Sequence, residues 1–356
     1  MNQVLPPTAA SIRQAAHILS AGGLVVIPTE TVYGLAANAL SAEASQKIFA
    51  LKNRPLTDPL IVHVPDLTTA CKYARWDAHP GLVELAEAFW PGPLTVVLPK
   101  DDIIPGIVTS GQTTVALRCP DHPVALDLLR ACAVPLAAPS ANRFGKISPT
   151  TPAAVLEEFG QQCPPILDGG PCRCGIESTI VGPDPANPGA LKIFRPGLIT
   201  AEQIAEVASA PVSTAAADRG LCAADPATPG SLPAHYCPAK PLHILRENWR
   251  VMPKSDWRLF TTPPINAELP PERAGWLLLR GPAGELPGAI HDINPVGEIT
   301  RAAAQLYRSL RELDNDPQVA FILAELAPNE GIGIAINDRL ARASRGKTWS
   351  RGDSNP

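Results

Sequence analysis

Long apolar stretches are missing from this sequence. The longest, such as the run from Leu24 to Ile27, are strand-sized, far below the ~20 residues that a helix needs to cross a bilayer, so no membrane span is expected. The first residues, Met1-Asn-Gln-Val-Leu-Pro-Pro7, lack the basic region and the apolar core of a signal peptide, which predicts a cytoplasmic protein. Charged residues are sparse, 18% against about 25% in an average globular chain. The net charge of −4 argues against a general nucleic-acid coat and leaves room for a local basic cleft. Cys-x-x-Cys is absent. The eight cysteines, at 71, 119, 132, 163, 172, 174, 222 and 237, are scattered, which predicts reduced thiols. Cys172-x-Cys174 with Cys163 lacks the second pair that zinc requires, so neither zinc nor a redox cofactor is expected. Gly-x4-Gly-Lys-[Ser/Thr], His-Glu-x-x-His, Gly-x-Ser-x-Gly and the kinase signature are also missing, which excludes the familiar nucleotide and hydrolase machines.

Proline, by contrast, is abundant: 41 residues of 356, more than twice the usual ~5%. With 45% hydrophobic residues and no Gly-X-Y period, the chain is neither disordered nor collagen-like. Its prolines mark short, stiff connections. The length predicts two domains.

Alternation of strand-like and helix-like segments from residue 11 to about 207 predicts an α/β domain. Its expected strands are Leu24–Pro28, Leu60–Val64, Leu94–Pro99, Thr114–Arg118, Val134–Ala138, Ser178–Gly182 and Leu191–Phe194. Ser41 caps a helix over Ala42–Leu51, and His122 to Ala131 has helical spacing. We place the first domain at 1–208 and a Pro-rich linker, with no sustained periodicity, at 209–240. A smaller α/β domain follows at 241–350. Its expected strands are Leu242–Leu245, Trp257–Phe260, Trp276–Leu279 and Val319–Glu325, and Val296–Leu313 forms an amphipathic helix. Residues 351–356 are a frayed tail. Gly331-Ile-Gly333 lacks the third glycine and downstream acid of a dinucleotide fingerprint, which favours close strand-to-helix packing.

Polar side chains cluster where strands end. Pro28-Thr-Glu-Thr-Val-Tyr-Gly34 places two hydroxyls and a carboxylate after a strand, where α/β sheets bind ligands, although a capped turn uses the same residues. Lys52-Asn-Arg54-Pro55 ends a helix. Cations there complement the helix dipole, and two in one turn also suit a polyphosphate. Arg118, closing a strand, suits bidentate capture of a carboxylate or carbamate. Ser140, Asn142 and Ser148 form a polar loop suited to phosphate and ribose, or an ordinary turn. In Asp168-Gly-Gly170-Pro-Cys-Arg-Cys-Gly175, two glycines keep half of a phosphate loop, whose backbone donors suit an anion.

Lys52-x-Arg54 with Ser140-x-Asn142, Pro28-Thr-Glu-Thr-Val-Tyr-Gly34, Trp90-Pro-Gly-Pro-Leu-Thr95, Arg118-Cys-Pro-Asp-His-Pro123 and Gly175-Ile-Glu-Ser-Thr179 together resemble the YrdC-like family of threonylcarbamoyl-AMP synthases. Arg195-Pro-Gly197, Pro229-Gly230, His235-Tyr-Cys-Pro238 and Gly331-Ile-Gly-Ile-Ala-Ile-Asn-Asp-Arg339 extend the likeness to the long, two-domain form. The resemblance implies a twisted mixed sheet with helices and a concave basic face, then a linker and a smaller Rossmann-like α/β domain. It implies that L-threonine, bicarbonate and ATP with Mg2+ give threonylcarbamoyl-AMP and pyrophosphate. The product would serve the modification of the adenosine next to the anticodon of ANN-decoding tRNAs, through a downstream threonylcarbamoyl transferase complex and with possible tRNA contact.

By matching positions, Thr31, His63, Arg118, Ala138 and Ser178 take threonine or carbamate. Arg54, Asp58, Thr114, Ser140, Asn142, Ser148, Arg195 and Tyr236 take ATP. Lys52 and Arg54 stabilise charge, and no protein nucleophile is expected. Tyr236 resembles a residue that folds back over the nucleotide, which makes the linker a lid. Asp58 stands where the family commonly has Asn, and so puts an acid near phosphates. The alternative is a double-stranded RNA or tRNA binder using Lys52, Arg54, Arg118, Arg143, Lys146 and Arg195. A hydrogenase-maturation carbamoyltransferase ranks last, because its Cys-x-x-Cys fingers and acylphosphatase region are absent.

Overall fold

A computed structural model of the chain describes residues 4–214, 234–245, 249–251, 261–262, 270–281, 284–294 and 297–344. The expected strand Trp257–Phe260, the linker motif Pro229-Gly230 and the tail lie outside them. Two compact units divide the described residues: one holds 4–144 and 148–214, the other 145–147 and the described residues from 234 onward.

The first unit contains strands β1 (Val4–Leu5), β2 (Val25–Ile27), β3 (Gly34–Asn38), β4 (Ile61–His63), β5 (Leu94–Pro99), β6 (Thr114–Arg118), β7 (Leu136–Ala137), β8 (Ile166–Leu167), β9 (Thr179–Pro183), β10 (Leu191–Arg195) and β11 (Val212–Thr214). They form one mixed sheet in the order β1-β8-β2-β3-β7-β4-β6-β5-β9-β10-β11. Its helices are α1 (Ala9–Ser20), α2 (Ala42–Lys52), α3 (Leu67–Ala70), α4 (Pro80–Phe89), α5 (Pro123–Cys132), α6 (Pro152–Phe159) and α7 (Ala201–Ala208). Side chains alternate across a strand, and in β2 Val26 enters one core while Val25 and Ile27 enter another. Both faces of this strand are covered, so its sequence is continuously apolar rather than alternating.

Strand β11 falls within the residues expected to form the linker. Val212–Thr214 pairs in parallel with β10, so the expected linker from 209 begins inside the first unit; three half-buried residues are too few to show a period. The expected strand Val134–Ala138 shortens to Leu136–Ala137 because Pro135 has no N–H for a ladder.

Helix α2 sets up the site. Ser41 caps it by accepting from the Ala44 N–H, and Asn53 ends it in the left-handed region at φ 52°. That turn lets the Arg54 N–H reach Phe49 O at 3.0 Å, which closes the helix and fixes the direction in which Lys52 and Arg54 leave it.

The second unit holds β12 (Leu242–Leu245), β13 (Thr261–Thr262), β14 (Ala274–Leu278), β15 (Ala289–Asp292) and β16 (Phe321–Ala324) in the order β13-β12-β16-β14-β15. All are parallel except β13. Helices α8 (Ile299–Asn315) and α9 (Ile332–Ala343) accompany them. Trp249 and Trp276 stack at 5.6 Å in a core with Leu278, Phe321 and Leu323. Gly331 begins α9, and a methyl group on Gly333 would lie 1.9 Å from Pro328 O. Gly333 therefore serves close packing of loop and helix, while Gly331 supplies the positive φ, 49°, of the residue that caps α9.

Candidate functional site

Register places His63 and Arg118 side by side, because β4 and β6 run parallel with those two residues paired at their ends. The loop after β2 meets Arg118: its Nη2 lies 2.8 Å from Glu30 Oε1 and donates to Thr31 Oγ1 at 2.9 Å. Thr29 organises this loop. Its hydroxyl lies 2.9 Å from Thr31 Oγ1, donates to Val32 O at 2.6 Å and accepts from the Thr31 and Val32 N–H groups. Ala138 donates its N–H to Ile61 O, and a methyl on Gly34 would sit 3.3 Å from the Ala138 methyl, so β3 and the end of β7 approach closely through small residues.

Strand directions refine the expectation of a site along carboxyl ends. β2 opposes β3, β3 opposes β7, and β7 opposes β4 and hence its parallel neighbour β6. β2 and β6 therefore point in opposite directions, yet the segments after them touch through Glu30 and Arg118.

Burial governs the electrostatics. Desolvation, reinforced by the Arg118 charge, pushes His63 down to about 3, so its imidazole is neutral, with Nδ1 buried and unpartnered. Lys52 is held well below its ordinary value, first by burial and then by the Arg54 charge. Its ammonium donates to Ser140 O at 2.6 Å and to Asn142 O at 2.5 Å, while the Phe144 N–H donates to Lys52 O. Lys52 thus ties the end of α2 to the polar loop, so the Lys-x-Arg and Ser-x-Asn motifs form one structural unit.

Arg54 donates from Nε to Asp58 O at 2.9 Å and from Nη2 to Pro59 O at 2.8 Å, and pairs with Asp58 Oδ1 at 2.9 Å. The acid at position 58 is therefore the counter-ion of Arg54. Thr114 begins β6 and lines a shallow depression with Pro59, Thr109 and Gln112. Ser148 donates to Glu177 Oε1 at 2.6 Å. The Ser178 hydroxyl lies 2.7 Å from Thr95 Oγ1 and accepts from Arg195 Nη2 at 3.1 Å, and Arg195 also grips Ser178 O.

The glycine loop departs from its expected part. Gly170 and Gly175 do have positive φ, +72° and +76°, but the N–H groups of Gly169, Gly170, Cys172 and Cys174 donate to Tyr33 Oη, Asp168 Oδ1, Thr150 O and Glu30 O. These N–H groups are spent on the protein's own oxygens rather than turned toward an anion, and the loop buttresses the Thr29–Tyr33 segment through Tyr33 Oη and Glu30 O.

Tyr236 belongs to the second unit, where it stacks on Tyr307 at 5.5 Å and lies under the Arg339 guanidinium at 5.4 Å. The motif residues Glu30, Thr29, Thr95 and Glu177 escaped the list of site residues. Each has a partner far along the chain or is buried by the fold, which a motif alone does not reveal. Among the described residues, no group of three or more His, Cys, Asp or Glu side chains is placed to hold a metal ion, and no helix is long and apolar enough to cross a membrane.

Residues 17–197 match the Sua5/YciO/YrdC family model, described as telomere recombination. Residues 199–345 match the family model described as threonylcarbamoyl-AMP synthase, C-terminal domain. The threonylcarbamoyl-AMP synthase of Bacillus subtilis is 38% identical over 340 residues, covering 94% of this chain and 93% of that protein. The enzyme of the same name from Pyrococcus abyssi is 36% identical, with 94% of each chain covered. A crystal structure of P. abyssi Sua5 complexed with L-threonine is similar over 96% of this chain and 97% of that one, with a TM-score of 0.82 and 32% identity.

Proposed function

The chain belongs to the threonylcarbamoyl-AMP synthase family, and on that premise we propose that it joins L-threonine, bicarbonate and ATP into threonylcarbamoyl-AMP, pyrophosphate and water. The observation that carries this reading is the buried Arg118 beside Thr31 and His63, in a chain similar throughout to a relative crystallised with L-threonine.

In this reading Arg118 takes the α-carboxylate of threonine, with Thr31, His63, Ala138 and Ser178 around the side chain and the nascent carbamate. The amine captures the carbon of bicarbonate, and a carbamate oxygen then attacks the α-phosphorus as pyrophosphate leaves. Lys52, Arg54 and Arg195 offset the charge that builds on the phosphates, and Asp58 holds Arg54 for that role. ATP arrives as its Mg2+ complex, so the ion is part of the substrate. Thr114, Ser140, Asn142 and Ser148 line the nucleotide side, to which Tyr236 is assigned on its motif. Positioning and charge supply the rate enhancement, and no protein nucleophile takes part. The product goes to a threonylcarbamoyl transferase complex acting on tRNA in the cytoplasm.

Omission tests this directly. Pyrophosphate release from Mg–ATP should require both L-threonine and bicarbonate, and release of ADP and phosphate, or equal turnover without threonine, would overturn the assignment. The RNA-binder alternative fits less well. Of its six cations, Lys52, Arg54, Arg118 and Arg195 are buried and bonded to internal oxygens, which leaves only the half-buried Arg143 and the exposed Lys146 where phosphate-backbone binding needs several exposed cations.

A further inference from the structure

Glu30 is the one carboxylate in direct contact with Arg118 among the described residues, and the reaction assigned above gives it no task. Its side chain is fully buried. One oxygen lies 2.8 Å from Arg118 Nη2, off the line of a directed hydrogen bond, and neither Oε1 nor Oε2 has a hydrogen-bond partner. The Arg118 Nε is buried and unpartnered too. Buried carboxylates are ordinarily saturated with donors. This one is left short of donors beside the arginine assigned above to the threonine carboxylate.

We propose that Glu30 is a catalytic residue that binds the α-ammonium of threonine and accepts the proton released when the carbamate forms. The proposal rests on the synthase reading. A neutral Arg118–Glu30 pair is complementary to an amino acid, with guanidinium to carboxylate and carboxylate to ammonium. The covalent step needs such an acceptor. Threonine zwitterion and bicarbonate give the N-carboxylate, water and one proton: loss of that proton from the ammonium frees the nitrogen lone pair, which forms the N–C bond, a C–O bond breaks, and the leaving oxygen takes a second nitrogen proton and departs as water. Glu30 takes the proton while Arg118 turns to the substrate carboxylate, and the proton leaves the site with pyrophosphate.

The neighbours are poor acceptors. His63 sits at about 3, burial keeps Cys174 protonated by pushing it up to about 11, and Cys119 and Cys172 are pushed up as well. The half-buried His122 is lowered.

The test compares L-threonine with 3-hydroxybutyrate, which keeps the carboxylate and hydroxyl and lacks the amine, by calorimetric titration of the full-length protein. Wild type should bind threonine at least ~10-fold tighter, the size of one charge-assisted hydrogen bond. In Glu30→Gln the threonine affinity should fall by that factor while 3-hydroxybutyrate affinity holds or rises, and kcat at saturating threonine should fall about 100-fold. Glu30→Asp, which keeps the charge, should recover most of the selectivity for the amine. Equal loss of both ligands in Glu30→Gln, or unchanged selectivity, overturns the role of Glu30 alone. A wild type that binds neither ligand overturns the synthase reading and this role with it.

Discussion

Arg118 and Glu30 form a pair whose side chains are 5% and 0% exposed, and that burial decides how each must be probed. Truncating Arg118 to Ala leaves the Glu30 charge buried alone, which costs about 3–5 kcal/mol, so lost activity in that variant would be ambiguous. Arg118→Lys keeps the charge and loses the planar fork. It should retain near-native melting and lower kcat/KM for threonine about 100-fold, read from pyrophosphate release; full activity would remove Arg118 from the threonine site. His63 gives a second, independent signal. The folded protein holds it near 3, against 6.5 for the free side chain. As pH falls below 6.5 the unfolded chain takes up a proton that the folded chain refuses, so stability declines between pH 6.5 and about 3. His63→Gln should lose that component, and urea unfolding at pH 7 and pH 5 should show a smaller drop than in wild type. An identical drop would contradict the buried neutral imidazole.

Among the elements, the start of β9 and the turn after β10 approach each other closely. A methyl on Gly197 would lie 2.4 Å from the Thr179 backbone nitrogen, next to Ser178, which Arg195 grips. Gly197→Ala should cost about 1–3 kcal/mol as overpacking, lower Tm by several degrees and weaken ATP-dependent turnover; an unchanged Tm would mean that the junction yields freely. Elements with a strong local signal were legible in the sequence. Leu94–Pro99 and Thr114–Arg118 form strands at the expected residues, and Ser41 caps α2 as its side chain dictates. Strand β3, Gly34–Asn38, was not legible, because Gly-Leu-Ala-Ala-Asn is poor in β-branched residues and becomes a strand only by pairing with β2 and β7. The residue types of the site were legible in the same way, but their partners were not. Lys52 reaches carbonyls near residue 140 and Ser148 reaches Glu177, contacts that sequence spacing does not encode.

For the whole molecule, each unit has its own sheet and its own buried apolar cluster, and the candidate site draws on the first unit for every residue placed together here. Its cations Lys52, Arg54, Arg118 and Arg195 are inside, which favours a closed small-molecule site over an RNA-binding face. Salt reads out the difference. KM for threonine should shift less than ~3-fold between 50 and 200 mM salt, whereas a site neutralising several backbone phosphates loses roughly 10³–10⁵ in affinity over that range. The most direct test of the synthase assignment follows one atom. Incubated with L-threonine, Mg–ATP and 13C-bicarbonate, the protein should give an adenylate that mass spectrometry finds one mass unit heavier than the product from unlabelled bicarbonate, and only when threonine is present. An adenylate without the label, or one formed without threonine, would contradict the account.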